Sequence, residues 1–540
     1  MLTMSISFAR GTRIKVLPLL VSALALGVVM GGCKKHDPVV PTQPIVAPQK
    51  VAAIAWYDGG VDGAFAQART QGKPVFLYWG AVWCPPCNQL KSTVFSRPDF
   101  IEKSKLFVAV HLDGDDAGAQ KWGESFHVSG YPTVVILRPD RTELARIAGG
   151  MDLTQYAQVL DLALGDVRPV QAVRAALDAG GANLSPDDCR RLAYNAWELD
   201  DPSTENWSRT AQSLQRAASR CPASARVERA RLLVVAAYAA ARAQSAALKA
   251  GKPPSPGLAS LVRGVDELLA DRELALASAD ILQDFDKDFF SAAIEVEPGR
   301  KTELLQHWVL VMDAMASDGR YAEADQISAI ASKLKAMQSL DAAHGIPVPL
   351  VDAANARIDA TLARTRDEHA RPAVVNASLD LLDVLGEDDR AYAVLDQEVK
   401  TSKTPYYYML DLATLEEKRG HKDAAVTLLG RAYRESQGTA TRFQWGTVYV
   451  RGLVRMRPQD EAGIRDATLA VLAELDGPDR IYRRSRVGLE KLDGSLREWD
   501  KNSAHAGVIT VLRKRMDEVC GKIPTGDPAR QPCESFLAKA

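Results

Sequence analysis

Two cysteines three residues apart, in Trp83-Cys84-Pro85-Pro86-Cys87, constrain this chain more than any other stretch. They follow Val75-Phe76-Leu77-Tyr78-Trp79, an apolar run with the length and composition of a buried strand. Asn88, Leu90, Lys91, Val94 and Phe95 then continue as an amphipathic helix. This order delivers a dithiol to a helix N-terminus, where the positive end of the helix dipole favours thiolate over thiol. The thiolate is the species that attacks disulfides, and a second thiol at this spacing can resolve the mixed disulfide. A Cys-x-x-Cys can also be half of a zinc site, but that needs a second ligand pair. None is adjacent, and His36, His111 and His127 are scattered. The expectation is redox chemistry with no metal and no other cofactor.

Further residues carry a resemblance. Gly130-Tyr131-Pro132-Thr133 precedes the strand Val134-Val135-Ile136-Leu137. Trp56, Ala64, Ala68, Gly72-Lys73-Pro74 and Phe95-Ser96-Arg97-Pro98-Asp99-Phe100 surround the dithiol in sequence. With the βαβ alternation, this combination resembles the thioredoxin superfamily from about Trp56 to Leu164, and most of all a bacterial branch of secreted thioredoxin-like proteins. The resemblance implies an α/β thioredoxin-like fold and a thiol-disulfide oxidoreductase. It implies Cys84 as the exposed attacking thiol, Cys87 as the buried resolving thiol, Trp83 as a shield, and a cis Pro132 facing the dithiol on the substrate side.

Two departures bear on turnover. Reductases of the family carry a buried aspartate six residues before the first cysteine, where this chain has Tyr78, and a lysine after the second, where it has Asn88. Glu124 or Asp113 could stand in as a base, though each reads more simply as a solvated carboxylate. Pro85 and Pro86 have no backbone N–H, so two donors that could stabilise a Cys84 thiolate are missing. A less stabilised reduced form makes a dithiol more reducing. Reduction or isomerisation is therefore expected ahead of oxidation.

The N-terminus reads as a targeting segment. Arg10, Arg13 and Lys15 precede the apolar run Val16 to Val29, which is short for a membrane span. Met30-Gly31-Gly32-Cys33 resembles a bacterial lipobox, which implies cleavage before Cys33, lipidation of that cysteine, and anchoring in the periplasm at the outer or inner membrane. Lys34 to Lys50 carries Pro38, Pro41, Pro44 and Pro48 and reads as an extended tether; at ~3.1 Å per residue it spans roughly 50 Å. Cys189, Cys221, Cys520 and Cys533 remain, an even number suited to an oxidising compartment. Of three possible pairings, proximity favours Cys189 with Cys221 and Cys520 with Cys533.

At 540 residues the chain should hold several domains. After Gly165 strand patterns give way to long apolar-periodic segments. Leu304, Trp308, Val311, Met312 and Met315 share one helical face, and the alanine-rich Leu232 to Ala243 is apolar nearly all round, hence buried. Gly386, Asp389, Ala391 and Leu395 recur as Gly420, Asp423, Ala425 and Leu429, an offset of 34. That period resembles tetratricopeptide helical hairpins, over roughly 370–460. The expected organisation is a signal segment 1–33, a tether 34–50, a thioredoxin-like domain 51–165, an α-helical region 166–370 and a tetratricopeptide-like region 371–540. Tyr406-Tyr407-Tyr408 should pack between hairpins, and Arg483-Arg484 should face solvent. A net charge of −1 gives no reason to expect a nucleic-acid partner. Expected partners are protein thiols or disulfides, a membrane electron donor or acceptor, and the membrane itself through the lipid. The rival reading is a non-enzymatic envelope scaffold whose thioredoxin-like part only binds.

Overall fold

The computed structural model describes residues 53–538 apart from 149–152, 166–167, 181–182, 198–203, 250, 252–256, 285, 342, 344 and 478–479. Cys33, the signal segment and the tether lie outside the described residues.

The first helix, α1 (Gly60–Gln71), stops at Gly72, whose φ of 64° is left-handed and open to glycine at little cost. Strand β1 (Val75–Gly80) is buried along its whole length, which explains its unbroken apolar run. Phe76 and Tyr78 face one core with Leu90, Val94 and Phe95. Val75, Leu77 and Trp79 face the other, with Phe65 and Ala68 of α1. Helix α2 (Pro85–Leu90) begins with prolines in its first turn, where the missing N–H groups would have no helical partner. It runs on as a π-helical segment, Lys91–Phe95, and the chain breaks before α3 (Pro98–Ser104), which again starts on proline. Strand β2 (Val108–Asp113), α4 (Ala117–Ser125), β3 (Thr133–Leu137), β4 (Glu143–Ala148) and α5 (Leu153–Leu164) complete this part. The sheet order is β2-β1-β3-β4, with β1 parallel to β2 and antiparallel to β3.

Everything described after α5 that has regular structure is helical. Within the helix Arg226–Lys249 the alanine-rich stretch from Leu232 to Ala243 is largely buried, with Ala236, Ala237 and Ala239 at the centre. Leu304, Trp308, Val311, Met312 and Met315 are all buried on one face of Lys301–Ala316. The 34-residue repeat acquires a physical basis. Gly386 and Gly420 both take positive φ (71° and 83°) where one helix ends, and the matched Ala391/Ala425 and Leu395/Leu429 are buried. The matched aspartates recur as ion-pair acceptors: Arg419 reaches Asp389 at 2.6 Å and Arg457 reaches Asp423 at 2.7 Å. Two cystines staple the helices. Cys189 is bonded to Cys221 (Cα–Cα 5.9 Å) and Cys520 to Cys533 (5.7 Å).

The core under Phe76 and Tyr78 does not stop at α5. It continues through Tyr156, Leu192 and Trp197 into Leu232 and Trp308. The N–H of Ala196 donates to the carbonyl of Arg146 in β4 at 3.0 Å. No helix among the described residues is long and apolar enough to cross a membrane.

Candidate redox site at the dithiol

Cys84 occupies the position just before α2 in an extended conformation, and the N–H of Cys87 donates to its sulfur at 3.3 Å. The two cysteines are bonded, with Cα atoms 5.3 Å apart. Pro85 and Pro86 lie between and offer no N–H. The pairing of Trp79 with Thr133 sets Pro132 opposite Gly80, just before the dithiol loop, and the Tyr131–Pro132 peptide is cis. Tyr131 packs on a small buried group made by Ala81, Cys84 and Cys87.

The expectation of an exposed Cys84 is not met: it is 4% exposed, and Cys87 is fully buried. The reason lies more than 270 residues downstream in the chain. Trp83 is stacked on Tyr407 (centroids 6.1 Å, 20° between planes) and meets the edge of Trp445 at 5.0 Å. Its indole N–H donates to Asp115 Oδ1 at 2.9 Å, and the Thr441 hydroxyl donates to the same oxygen. Gly438, just before the helix Thr439–Met456, touches Asp115 so closely that a Cβ there would sit 2.8 Å from the Asp115 carbonyl oxygen and closer to its side chain; its φ of 72° also favours glycine. The Arg484 guanidinium lies 5.2 Å from the Trp83 ring and 5.4 Å from the Tyr131 ring. It donates to the Gly114 carbonyl at 3.1 Å and to Gln444. So helices Pro405–Lys418, Thr439–Met456 and Arg483–Trp499 cover the side of the loop that carries Trp83 and Tyr131.

Three sequence expectations change here. Arg483-Arg484 is not a solvated face, because Arg484 lies over two aromatic rings and the Arg483 N–H donates to Glu124 Oε2 at 2.8 Å. Glu124 is not a free carboxylate either: Arg486 pairs with it at 2.6 Å. Burial alone would push its pKa up, but those hydrogen bonds more than offset this and hold it below the ordinary value. Tyr407 does more than pack between hairpins, since it forms one wall around Trp83. Sequence reading found none of Asp115, Gly438, Thr441, Trp445 or His369. They lie in segments with no motif of their own.

The other side of α2 is tied down by polar contacts. Asn88 is buried and donates to the carbonyls of Val82 (2.8 Å) and Cys84 (3.1 Å), while its Oδ1 lies 3.1 Å from His369 Nδ1. Gln89 donates to both carboxylate oxygens of Asp325 at 2.9 Å. Burial pushes the Asp325 pKa up to about 6. Asp115 is likewise raised by burial, although the Thr441 and Trp83 hydrogen bonds pull the other way. Tyr78, in the place of the reductases' aspartate, is buried; its hydroxyl has no hydrogen-bond partner, and burial drives its pKa further above the normal range. It cannot serve as a proton acceptor at neutral pH. Asp113 accepts from the N–H of Asp115 at 3.1 Å and stands at the end of β2 beside the loop. No group of metal-ligating side chains occurs among the described residues.

The family of thioredoxin-like domains matches residues 61–164. Thiol:disulfide interchange protein DsbD of Pseudomonas fluorescens is 32% identical over 102 residues, 18% of this chain and 18% of that protein. DsbD of Klebsiella pneumoniae is 30% identical over 124 residues, 22% of this chain and 20% of its own. The chain therefore spans about a fifth of the length of these curated relatives. A thioredoxin from Thermus thermophilus, known from its solution structure, aligns with a TM-score of 0.19 and 26% identity, over 20% of this chain and 85% of that one. The matched span, the four-stranded sheet and the cystine at the N-terminus of α2 agree: residues 61–164 are a thioredoxin-like domain, and a large all-helical region follows it.

Proposed function

We propose that this chain is a thiol-disulfide oxidoreductase held at the periplasmic face of a membrane by lipid on Cys33, with Cys84 as the attacking thiol and Cys87 as the resolving one. The observation that carries the reading is the bonded Cys84–Cys87 pair at the N-terminus of α2, with the Cys87 N–H on the Cys84 sulfur and Pro132 across from the loop. The names of the DsbD relatives support the same reaction class. With only one amide on that sulfur, the Cys84 thiolate is weakly stabilised. The potential should then fall nearer thioredoxin's, about −270 mV, than that of the strong oxidants, about −120 mV. That favours reduction or isomerisation of protein disulfides, with a membrane thiol carrier as electron source.

The burial of Cys84 favours a second reading, in which the domain is a binding module of an envelope scaffold and its cystine is inert. Disulfide exchange by the full-length protein separates the two. Cys87→Ser should accumulate mixed disulfides that reductant dissolves, and Cys84→Ser should accumulate none. If neither variant differs from the parent in any exchange assay, the scaffold reading stands. Lipidation is checked separately: labelled palmitate should enter the parent protein and not Cys33→Ser.

A further inference from the structure

The thioredoxin-like domain meets the helical region through two different kinds of surface. One apolar core runs without a break from Phe76 of β1 through Tyr156 of α5 to Trp308 and Met315. That core makes the domain and the helices just after it one body. The last helices have a separate core, which runs from Tyr406 to Leu537. Among the described residues, Trp83 is the one apolar side chain of the thioredoxin-like domain packed against it. Around Trp83 the ties are polar. Thr441 bonds to Asp115, Arg484 to the Gly114 carbonyl, and Arg483 and Arg486 to Glu124. The fit is also loose. A cavity of about 20 Å³, room for about one water, lies between Ala117 and Gln120 of α4 and Thr439, Phe443 and Tyr482.

An interface that is polar and poor in apolar contact lets the bodies it joins move relative to each other. Helix Pro405–Lys418 is placed to take up such a movement. Its Tyr406 and Met409 belong to the C-terminal core, and its Tyr408 and Leu412 to the core of the preceding helices. Stacked helical repeats contact only their neighbours, so a bend at one helix carries everything beyond it.

Exchange at the dithiol needs a movement of this kind. A thiolate must approach a sulfur to attack it, and Cys84, Cys87 and Pro132 are all buried. On its other flank α2 borders a cavity of about 660 Å³ beside Asn88 and Lys91, but neither cysteine lines it. The partly buried rings packed on the cystine are those of Trp83 and Tyr131. The Arg484 guanidinium lies against these same two rings.

We propose that the helices from Lys422 onward are a lid that tilts away as one body, frees Trp83 and Tyr131, and alone gives a thiolate access to the Cys84 sulfur. This regulation rests on the oxidoreductase reading. Opening breaks the Glu124–Arg486 pair, the Thr441–Asp115 hydrogen bond and the Trp83–Trp445 contact. It keeps the Trp83–Tyr407 stack and the contacts of Asn88 and Gln89 with His369 and Asp325, which lie on the near side of the bend.

The test is single-turnover reduction of the oxidised full-length protein by 2-mercaptoethanol, with alkylation of Cys84 and Cys87 followed by mass spectrometry. Hydroxyl-radical footprinting of Trp83 and Trp445 reads the opening, with Trp197 and Trp308 of the continuous core as controls. Arg486→Glu sets a carboxylate against Glu124, and Glu124→Arg sets a guanidinium against Arg486. Each should raise the reduction rate about threefold to tenfold and the labelling of both lid tryptophans with it. The two substitutions change the net charge in opposite directions, so a common acceleration is not steering of the thiolate. The double exchange restores an opposite pair and should return the rate to within about twofold of the parent. In the parent, salt should weaken the pair and speed reduction at equal thiolate concentration. If Trp197 or Trp308 becomes labelled in a variant, that variant is misfolded and the salt series on the parent decides. Unchanged rates and footprints in both single variants, with no effect of salt, overturn the lid and leave the oxidoreductase reading standing. Single variants that are faster but whose double exchange is no slower overturn the latch at Glu124–Arg486. Tryptophans that open while no thiol reduces the cystine overturn the oxidoreductase reading and leave the movement.

Discussion

The two flanks of the dithiol differ in what the helical region offers them. Around Trp83 it supplies rings, a guanidinium over the indole, and hydrogen bonds that satisfy buried groups. Along Asn88 and Lys91 it supplies charge and hydroxyls and leaves a space. Aromatic surface is worth burying, and a cation over a ring adds about 0.5–2 kcal/mol. Charged groups and hydroxyls are costly to bury, so that flank stays open. The same helices therefore cover the Trp83 flank with rings and leave an open space beside Asn88 and Lys91, and side-chain chemistry decides which is which.

The comparison breaks most sharply at Gly438. Gly438→Val combines a disfavoured φ with a collision at Asp115 and should loosen the closed flank without touching the cavity. The strain, on the order of 1–3 kcal/mol, predicts that reduction of Cys84–Cys87 by a neutral thiol accelerates about tenfold. Unchanged far-UV circular dichroism and intact Cys189–Cys221 and Cys520–Cys533 bonds are the controls. An unchanged rate would mean the cover does not govern access.

A smaller effect should follow acidity. Asp115 is raised by burial in the closed state, so that state binds its proton more tightly than an open one does. Closure is then favoured as pH falls from above the folded pKa toward the ordinary carboxylate value, and it weakens as pH rises through that window. Asp115→Asn keeps an oxygen for both Trp83 and Thr441. It should slow reduction at neutral pH several-fold and flatten the pH dependence, read from the same alkylation assay corrected for thiolate concentration.

The smallest expected effect sharpens the contrast at the polar contact between Gln89 of α2 and Asp325. Asp325, at about 6, costs stability when ionised. That cost is present above about pH 6 and disappears below the unfolded value near 3.8. Asp325→Asn should raise the melting temperature by about 2 °C at pH 7.5, with the gain vanishing near pH 4. A shift independent of pH would show that the carboxylate is not the source.

What could be read from the sequence followed local chemistry. Strand β1, the break at Pro98, the glycine stop at Gly72 and the repeat offset of Gly386 and Gly420 each rest on a few neighbouring residues. The thioredoxin-like span rests on a dense set of motifs. The cover could not be read, because its signal is spread over single residues far apart. Nothing near Gly438 announces that Asp115 will lie against it. Arg483-Arg484 looks like any charged pair until Trp83 and Tyr131 are set beneath it. The same ignorance of long-range neighbours put Cys84 in solvent.

Those distances along the chain have a consequence in time. The hydrogen bonds that tie the late helices to Gly114, Asp115 and Glu124 join residues 326 to 370 positions apart. The entropy of closing so long a loop must be met before any of them contributes, so they form late. Translation moves from the N-terminus, and domains fold largely in that order. Each newly made molecule thus passes through an interval in which residues 61–164 are complete and the last third is not. During that interval the dithiol is bare, and the cysteines it meets first are those of its own unfinished chain.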